Sequence, residues 1–263
     1  MSKGTALITG ASTGIGAVYA DRLAKQGYDL ILVARDAAKL QQHAERISGE
    51  TGRNVETVTA DLANKGDLAR VEEILRSNQQ ITILVNNAGL GAASKLIDSP
   101  VDEMEHMITL NVTALTRLTQ AALPGFTERK QGTLINIASI VAVAPDLLNG
   151  VYGGTKAFVL ALTQSLSNEL KDKGIRVQAV LPGAIDTPFW DKAKVPVNNL
   201  PAEIVMTPEN LVDAALKGLE IGELVTIPSL PDVADWEKAD NARKALAPNL
   251  SKQYPAARYG ISA

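Results

Sequence analysis

The sequence contains no cysteine and very little histidine, and these two absences exclude several kinds of active site. Without a cysteine in 263 residues, the chain has no disulfide, no thiolate nucleophile and no cysteine-ligated zinc. Its two histidines, His43 and His106, are far apart and lie among charged residues. We interpret both as side chains on solvated helix faces, which argues against a Ser-His-Asp triad and predicts that the chain holds no metal.

Net charge, aromatic residues and long apolar runs are also scarce. The net charge is −3 and aromatic residues make up 4%, so the chain offers neither a basic surface nor stacking platforms for nucleic acid. No apolar run is long enough to span a membrane, and the first apolar strand begins near Thr5, which leaves no room for a signal peptide. We therefore expect a cytoplasmic protein with neither nucleic acid nor a membrane as partner.

Short apolar or β-branched runs alternate with helical patterns along most of the chain. Asp36, Ser99-Pro100 and Thr207-Pro208 indicate helix starts. Strands joined by helices form right-handed crossovers, which predicts an α/β fold: a Rossmann-type, doubly wound parallel sheet of about seven strands with helices on both faces. The strand candidates are Thr5–Thr9, Asp29–Ala34, Val55–Ala60, Ile83–Asn86, Gly132–Ala138, Arg176–Leu181 and Glu223–Ile227.

The pattern predicts a single domain over residues 1–263, because no linker, repeat or low-complexity stretch interrupts it. Residues 188–206 differ from the rest: they are rich in proline, asparagine and lysine and are longer than an ordinary connection. We interpret this segment as a substrate flap within the domain.

A glycine-rich turn follows the first strand candidate and opens the first helix. Such a turn lets a pyrophosphate approach the helix N-terminus, where free N–H groups and the helix dipole attract negative charge. A tight turn without any ligand is the alternative interpretation. The residues of the turn that we expect to bind the cofactor are Gly10, Ser12, Thr13, Gly14, Ile15 and Gly16.

The end of the second strand indicates which dinucleotide binds. NAD-binding sheets place a carboxylate about 20 residues past the glycines, but this position is occupied by Ala34, with Arg35 beside it. A guanidinium suits the 2′-phosphate of NADP(H), so Arg35 predicts that cofactor. Two alternatives remain: Arg35 faces solvent, or Asp36 reaches the ribose instead of capping a helix.

Residues typical of acid–base chemistry follow in the second half of the chain. Tyr152 and Lys156 are spaced i, i+4, which places a phenol and an ammonium on one helix face. The ammonium, joined by an oxidised nicotinamide, is expected to lower the phenol pKa. Ser139 ends a strand 13 residues before Tyr152 and is placed to hold a carbonyl oxygen, and Asn111 interrupts an apolar helical run.

Taken together, these motifs resemble the short-chain dehydrogenase/reductase family in its short, single-domain type. The resemblance runs in order through Thr9-Gly10-x-x-x-Gly14-Ile15-Gly16, Asn86-Asn87-Ala88-Gly89, Asn111, Ser139, Tyr152-x-x-x-Lys156 and Pro182-Gly183-x-x-x-Thr187. It implies hydride transfer between NADP(H) and a carbonyl or secondary alcohol, with Tyr152 as general acid and base and with Ser139, Lys156 and Asn111 as the other catalytic residues.

The same resemblance implies roles for residues around the cofactor. Asp61 and Leu62 contact adenine, and the Asn86–Gly89 turn, with Asn87, Ala88 and Gly89, borders the ribose. The nicotinamide carboxamide is held near Pro182, Gly183, Ile185 and Thr187. Relatives pair the helices 102–123 and 151–170 across a twofold axis, which implies a homodimer or homotetramer.

Other functions are compatible with part of this pattern. A 3-oxoacyl-thioester reductase is the main alternative, although no arginine cluster for an acidic carrier protein is evident. A non-catalytic NADPH-binding sensor would lack a catalytic residue, and an epimerase would usually have a larger domain after the sheet than residues 228–263 provide.

The substrate is expected to be small and largely apolar. Lys192 and Lys194 in the flap are the main argument against an apolar site, since closure of the flap would bring positive charge to it. The side chains expected to line the site are Ile140, Val141, Val143, Pro145, Leu147, Leu148, Leu90, Ile185, Phe189 and Trp190.

Overall fold

The computed structural model of the chain describes residues 2–192 and 197–261. They fall into two compact units, Met1–Pro228 and Ser229–Ala263. The first unit contains every predicted site residue. The second contains one α-helix of 12 residues and, among its described residues, buries no side chain. The prediction of one domain over the whole chain stays a prediction.

The centre of the first unit is a parallel sheet, which confirms the predicted fold class. Over the described residues it has seven strands in the order β3-β2-β1-β4-β5-β6-β9, and every neighbouring pair is parallel. The strands of the described chain are β1 Thr5–Thr9, β2 Asp29–Ala34, β3 Val55–Thr59, β4 Ile81–Asn86, β5 Gly132–Ile137, β6 Ile175–Val180, β7 Ala184–Ile185, β8 Val205–Met206 and β9 Val225–Thr226.

Helices connect the strands, as right-handed crossovers between parallel strands require. A π-helical turn, Thr109–Ala114, lies between α4 and α5. The α-helices of the described residues are α1 Gly14–Lys25, α2 Ala37–Thr51, α3 Lys65–Ser77, α4 Val101–Ile108, α5 Leu115–Arg129, α6 Gly150–Glu169, α7 Phe189–Lys192, α8 Pro208–Ile221 and α9 Val233–Lys244.

Side chains alternate between two cores, one on each face of the sheet. Ala6 and Ile8 of β1 pack with Leu23 of α1 and Leu211 of α8, while the intervening Leu7 packs with Phe126 of α5. Successive strand residues point to opposite faces, so strands covered on both faces are apolar throughout rather than alternating. The five residues of β1 are accordingly all buried.

The strand order fixes where a ligand site can lie. The order reverses between β1 and β4, whose connections run to opposite faces and leave a crevice at their carboxyl ends. Within the segment interpreted as a flap, Val205–Met206 pairs with Ala184–Ile185. Lys194 and residues 193–196 lie outside the described residues, as does the side chain of Lys192, so the flap stays a prediction.

Candidate active site

A cleft of about 520 Å³ opens at this edge of the sheet. It contains both the glycine-rich turn and the Tyr152–Lys156 helix face. In the sequence, Gly10 of the turn and Tyr152 are 142 positions apart. Most of the predicted site residues line it. They are Gly10, Ser12, Thr13, Gly14, Ile15, Arg35, Asp61, Leu62, Asn87, Ala88, Gly89, Ser139, Tyr152, Lys156, Pro182, Gly183, Ile185 and Thr187.

The glycine-rich turn has the conformation and the free donors that a phosphate group needs. Gly10 and Gly14 have φ values of +66° and +57°, a region that side-chain-bearing residues rarely adopt. Helix α1 then begins without a side-chain cap and without an acidic residue in its first turn. Its first N–H groups and its dipole are therefore available to an anion. Gly16 does not line the cleft; a Cβ there would collide with the Gly10 carbonyl.

Thr9 and Asn87 join this turn to the end of β4. The Thr9 hydroxyl donates to the Val85 carbonyl and accepts from the Asn87 and Ala88 N–H groups at 2.9 and 3.0 Å. The Asn87 amide donates to the carbonyls of Thr9 and Gly10 at 2.9 and 3.2 Å. Sequence reasoning assigned no role to Thr9, although its hydroxyl at a strand end was a usable signal.

The end of β2 carries one exposed guanidinium and one occupied carboxylate. Asp36 is the N-cap of α2: its Oδ1 accepts from the Lys39 N–H at 3.0 Å, and this hydrogen bond lowers the pKa of Asp36. The Asp36 carboxylate also lies 3.6 Å from the Lys39 ammonium. The predicted helix cap is confirmed. Arg35 lines the cleft, and the residue before it, Ala34, has no carboxylate. Lys39, which also lines the cleft, was missed.

Tyr152 and Ser139 form the chemical end of the cleft. Ser139 follows β5 and caps a 3₁₀ turn by accepting from the Val141 N–H at 3.3 Å. Burial raises the pKa of Tyr152 to about 12, and a hydrogen bond with Ser139 opposes the rise. In the chain alone the phenol pKa is therefore raised, contrary to the expected lowering. That lowering stays a prediction for the cofactor-bound state.

Lys156 is buried and lies behind Tyr152. Its ammonium donates to the Ile137 carbonyl at 2.9 Å and lies 5.9 Å from the centre of the Tyr152 ring. Burial lowers the pKa of Lys156 to about 8. The ammonium can therefore stabilise negative charge on the phenol through space.

Asn111 lies in the π-helical turn rather than in the continuous helix that its apolar surroundings predicted. Its Oδ1 accepts from the Leu90 N–H at 2.8 Å, and its Nδ2 donates to the Leu90 carbonyl at 2.8 Å and to the Thr155 hydroxyl at 3.0 Å. Because these bonds occupy both amide protons, the side chain holds the turn after Gly89 in place. Its catalytic role stays a prediction.

Asn149 and Thr155 are two further residues that position the catalytic helix, and the sequence analysis missed both. Asn149 is the N-cap of α6, where its Oδ1 accepts from the N–H groups of Val151 and Tyr152 at 2.9 and 3.3 Å. The Thr155 hydroxyl donates to the Tyr152 carbonyl at 2.8 Å. An asparagine just before the first helical residue is a usual cap signal, so Asn149 could have been found.

The carboxyl ends of β5 and β6 meet beside Ser139. The Pro182 carbonyl accepts from the Ile140 N–H at 3.0 Å, and Thr187 lies so near the glycine turn that a Cβ on Gly14 would be 3.0 Å from its Cγ2. This juxtaposition brings residues 182–187 to the first helix. Asn86, by contrast, is buried beneath the cleft and donates to Thr119 and Asn136 at 3.1 and 2.9 Å.

The apolar wall of the cleft is smaller than the sequence predicted. Of the side chains expected there, Leu90, Ile185, Phe189 and Trp190 line it. The other six residues follow Ser139 and do not line the cleft, although Val141 belongs to the same buried cluster as Tyr152; these six are Ile140, Val141, Val143, Pro145, Leu147 and Leu148.

The described residues contain neither a metal-binding cluster nor a membrane-spanning helix. No group of three or more histidine, cysteine, aspartate or glutamate side chains among them is arranged to hold a metal ion. None of the described helices combines the length and the hydropathy that crossing a membrane requires.

Comparison with known proteins agrees with this geometry. A profile of the short chain dehydrogenase family matches residues 4–196. The fold is similar to that of a short-chain dehydrogenase from Sphingobium yanoikuyae in complex with NADPH, with 47% identity, a TM-score of 0.94 and coverage of 96% of this chain and 98% of that chain.

Two further relatives have more specific names. A bulky-bulky ketone specific alcohol dehydrogenase from Comamonas testosteroni is 43% identical, with a TM-score of 0.91 and coverage of 98% of this chain and 99% of that chain. The 17-beta-hydroxysteroid dehydrogenase type 3 of Rattus norvegicus is 33% identical over 219 residues, covering 82% of this chain and 69% of that protein.

The sheet, the glycine turn and the Tyr152–Lys156 face in one cleft define a dinucleotide-binding oxidoreductase. The chain belongs to the short-chain dehydrogenase family, which confirms the resemblance inferred from its motifs.

Proposed function

We propose that this chain transfers hydride between NADP(H) and a ketone or the corresponding secondary alcohol, with Tyr152 as general acid and base. One observation carries the proposal: the buried Tyr152 lines the same cleft as Ser139, the glycine turn and Arg35. Such a cleft can hold a dinucleotide along its length and a carbonyl group at one end.

The residues present fit the cofactor. The turn around Gly10 and Gly14 and the uncapped start of α1 suit a pyrophosphate. Asp61, Leu62, Pro182, Gly183, Ile185 and Thr187 also line the cleft; in the proposed complex the first two would border adenine and the other four nicotinamide. The NADPH complex of the Sphingobium relative supports this assignment.

A preference for NADP(H) over NAD(H) follows from the end of β2. The Asp36 carboxylate is engaged by the Lys39 N–H and ammonium, so it is poorly placed to accept from a ribose hydroxyl. Arg35 and Lys39 instead present two cations to the cleft, which suits a 2′-phosphate.

The protein side chains handle the proton. When bound, the nicotinamide supplies or accepts the hydride. In reduction, Tyr152 donates its proton to the oxygen that gains charge; burial keeps the phenol protonated at neutral pH, since its pKa is about 12 in the chain alone. Ser139 donates a hydrogen bond to the same oxygen, and the Lys156 ammonium stabilises the phenolate that remains.

An uncharged ketone with apolar substituents is the proposed substrate. Leu90, Ile185, Phe189 and Trp190 form an apolar wall in the cleft that contains Tyr152, and a charged group placed against these four side chains would lose hydration without gaining a partner from them. The name of the Comamonas relative, specific for bulky-bulky ketones, supports substituents of some size on both sides. We expect a longer apolar substituent to lower KM and an added carboxylate to raise it.

Replacement of Arg35 tests the cofactor assignment. Arg35→Glu should repel the 2′-phosphate and accept from a 2′-hydroxyl, which shifts the kcat/KM ratio towards NADH by about 2 kcal/mol, or roughly 30-fold. Steady-state kinetics with both cofactors measure the ratio. Lys217→Glu, an equal charge change on the exposed face of α8, is the control. A wild type that uses NADH as well as NADPH contradicts the assignment.

A further inference from the structure

Gly91 and Phe189 meet in the cleft with no space between them for another carbon atom. A Cβ on Gly91 would lie 2.6 Å from Cε2 and 3.1 Å from Cε1 of Phe189, and closer still to Cζ. The φ of Gly91 lies outside the left-handed region. The backbone would therefore accept an alanine here, and it is the Phe189 ring that requires glycine.

The chain on the Gly91 side of this contact is fixed. Asn111 holds both the N–H and the carbonyl of Leu90 at 2.8 Å. On the other side of Gly91, Asn149 donates from its backbone to the Ala92 carbonyl at 3.4 Å and from its side chain to the Ser94 carbonyl at 2.7 Å. Hydrogen bonds before and after Gly91 thus resist any shift of its backbone.

Phe189 lies between two other aromatic rings. Its ring centre is 5.9 Å from that of Tyr152 and 5.6 Å from that of Trp190, the second pair meeting edge-on at 89°. Trp190 is buried and donates from Nε1 to the Ile185 carbonyl at 2.8 Å. The Phe189 ring therefore links the size of residue 91 to the space beside the Tyr152 hydroxyl.

We propose that Gly91 is a specificity-determining residue. Because it has no side chain, the Phe189 ring can pack directly against it and leaves room beside Tyr152 for a bulky ketone substituent. The inference rests on the proposed function. Since the backbone at Gly91 is held, an alanine there displaces the Phe189 ring within the cleft that Gly91, Phe189 and Tyr152 share. Large substituents then lose their space, while small ones do not.

The kinetic test compares one small and one diaryl ketone. Gly91→Ala should lower kcat/KM for the diaryl ketone at least 10-fold, change it less than 3-fold for the small ketone and leave the KM for NADPH unaltered. Gly154→Ala is the matched control, because a Cβ at Gly154 meets no atom within 4 Å. Equal behaviour of the two alanine variants across both ketones overturns the proposal.

A second substitution isolates the steric cause. Phe189→Ala removes the ring, so adding Gly91→Ala to that variant should have no further effect on the ratio of the two kcat/KM values. If Gly91→Ala lowers the diaryl rate equally with and without Phe189, the contact does not determine specificity. Phe189→Ala alone also keeps the proposal testable if Gly91→Ala does not fold. Removal of the ring adds space beside Tyr152, so it should raise the ratio of kcat/KM for the diaryl ketone to kcat/KM for the small ketone.

Fluorescence separates this inference from the proposed function. The chain has two tryptophans, so in a Trp236→Phe background the emission reports Trp190 alone, which contacts Phe189. Gly91→Ala should shift that emission and Gly154→Ala should not. If the wild type reduces neither ketone but Gly91→Ala still shifts the Trp190 emission, the proposed function is refuted while the steric contact stands. Ketone reduction without the shift, and without a change in selectivity, refutes the role of Gly91.

Discussion

At Tyr152 two influences act on one hydroxyl in opposite directions. Burial raises its pKa to about 12, while the hydrogen bond with Ser139 lowers it. The balance favours the neutral phenol, which is the form that donates a proton during reduction. Lys156, with a pKa lowered to about 8 by burial, retains most of its charge at neutral pH. In the chain alone, a neutral phenol therefore lies beside a largely charged ammonium.

Removal of the phenol proton tests the role of Tyr152. Tyr152→Phe keeps the ring contact with Phe189 but cannot donate a proton, so kcat should fall by roughly 10²-fold or more. NADPH affinity, measured by fluorescence titration, should stay within about threefold of wild type. Near-normal turnover would remove Tyr152 from the mechanism.

At this scale the sequence predicted candidate reacting groups, which the structure brings into one cleft, but not their surroundings. Tyr152, Lys156 and Ser139 were found because their spacing carries the chemistry. Burial and solvent exclusion depend on contacts between distant segments, so the rise in the Tyr152 pKa could not be read from spacing. Lys39 was missed because an exposed lysine in a helix gives no signal until the cleft is seen to reach it.

Among the elements, most strand and helix positions followed from the sequence. β1 and β2 have the predicted bounds, and Asp36 and Thr207 cap α2 and α8 as expected. The helix predicted for 102–123 is present within the helical stretch 101–129, but the sequence did not predict the π-helical turn Thr109–Ala114 inside it. A π-helical turn has about one residue more than an α-helical turn. The apolar pattern cannot reveal that residue when the helix is apolar on more than one face.

The start of α6 gives a prediction at the same scale. Asn149→Ala removes the cap of the catalytic helix and the bond to the Ser94 carbonyl, so it should lower the free energy of unfolding by about 1–2 kcal/mol and also lower kcat. Thr207→Ala removes the cap of α8, outside the cleft lining. This substitution should lower the free energy of unfolding, measured by urea denaturation, by about 1 kcal/mol and should leave kcat unchanged. Equal kinetic effects would contradict a positioning role for Asn149.

For the whole molecule, alternating strands and helices predicted the doubly wound sheet, and the reversal between β1 and β4 places the cleft. Residues 229–263 contain no recognised motif, so their role could not be predicted from the sequence. The expected cytoplasmic location of the protein and its expected assembly stay predictions.

Assembly is testable through the helices that carry exposed apolar side chains. Val101, Ile108 and Phe158 are 77%, 44% and 37% exposed, and such helix faces favour a partner. We expect a dimer or tetramer by light scattering at micromolar concentration, and Phe158→Asp should shift it towards smaller species. Ile221→Asp, at an equally apolar position that is 64% exposed on α8, is the control. A monomeric wild type would contradict the expectation.

The central claim is hydride transfer to a ketone, and isotope transfer measures it directly. The purified chain is incubated with an uncharged aryl ketone and NADPH carrying deuterium at C4, with the two C4 epimers in separate reactions. Mass spectrometry then locates the label in the product. One epimer is expected to give an alcohol with one deuterium on the carbinol carbon, in equal amount to the NADP⁺ formed. Unlabelled alcohol from both epimers, or oxidised cofactor without alcohol, would contradict it.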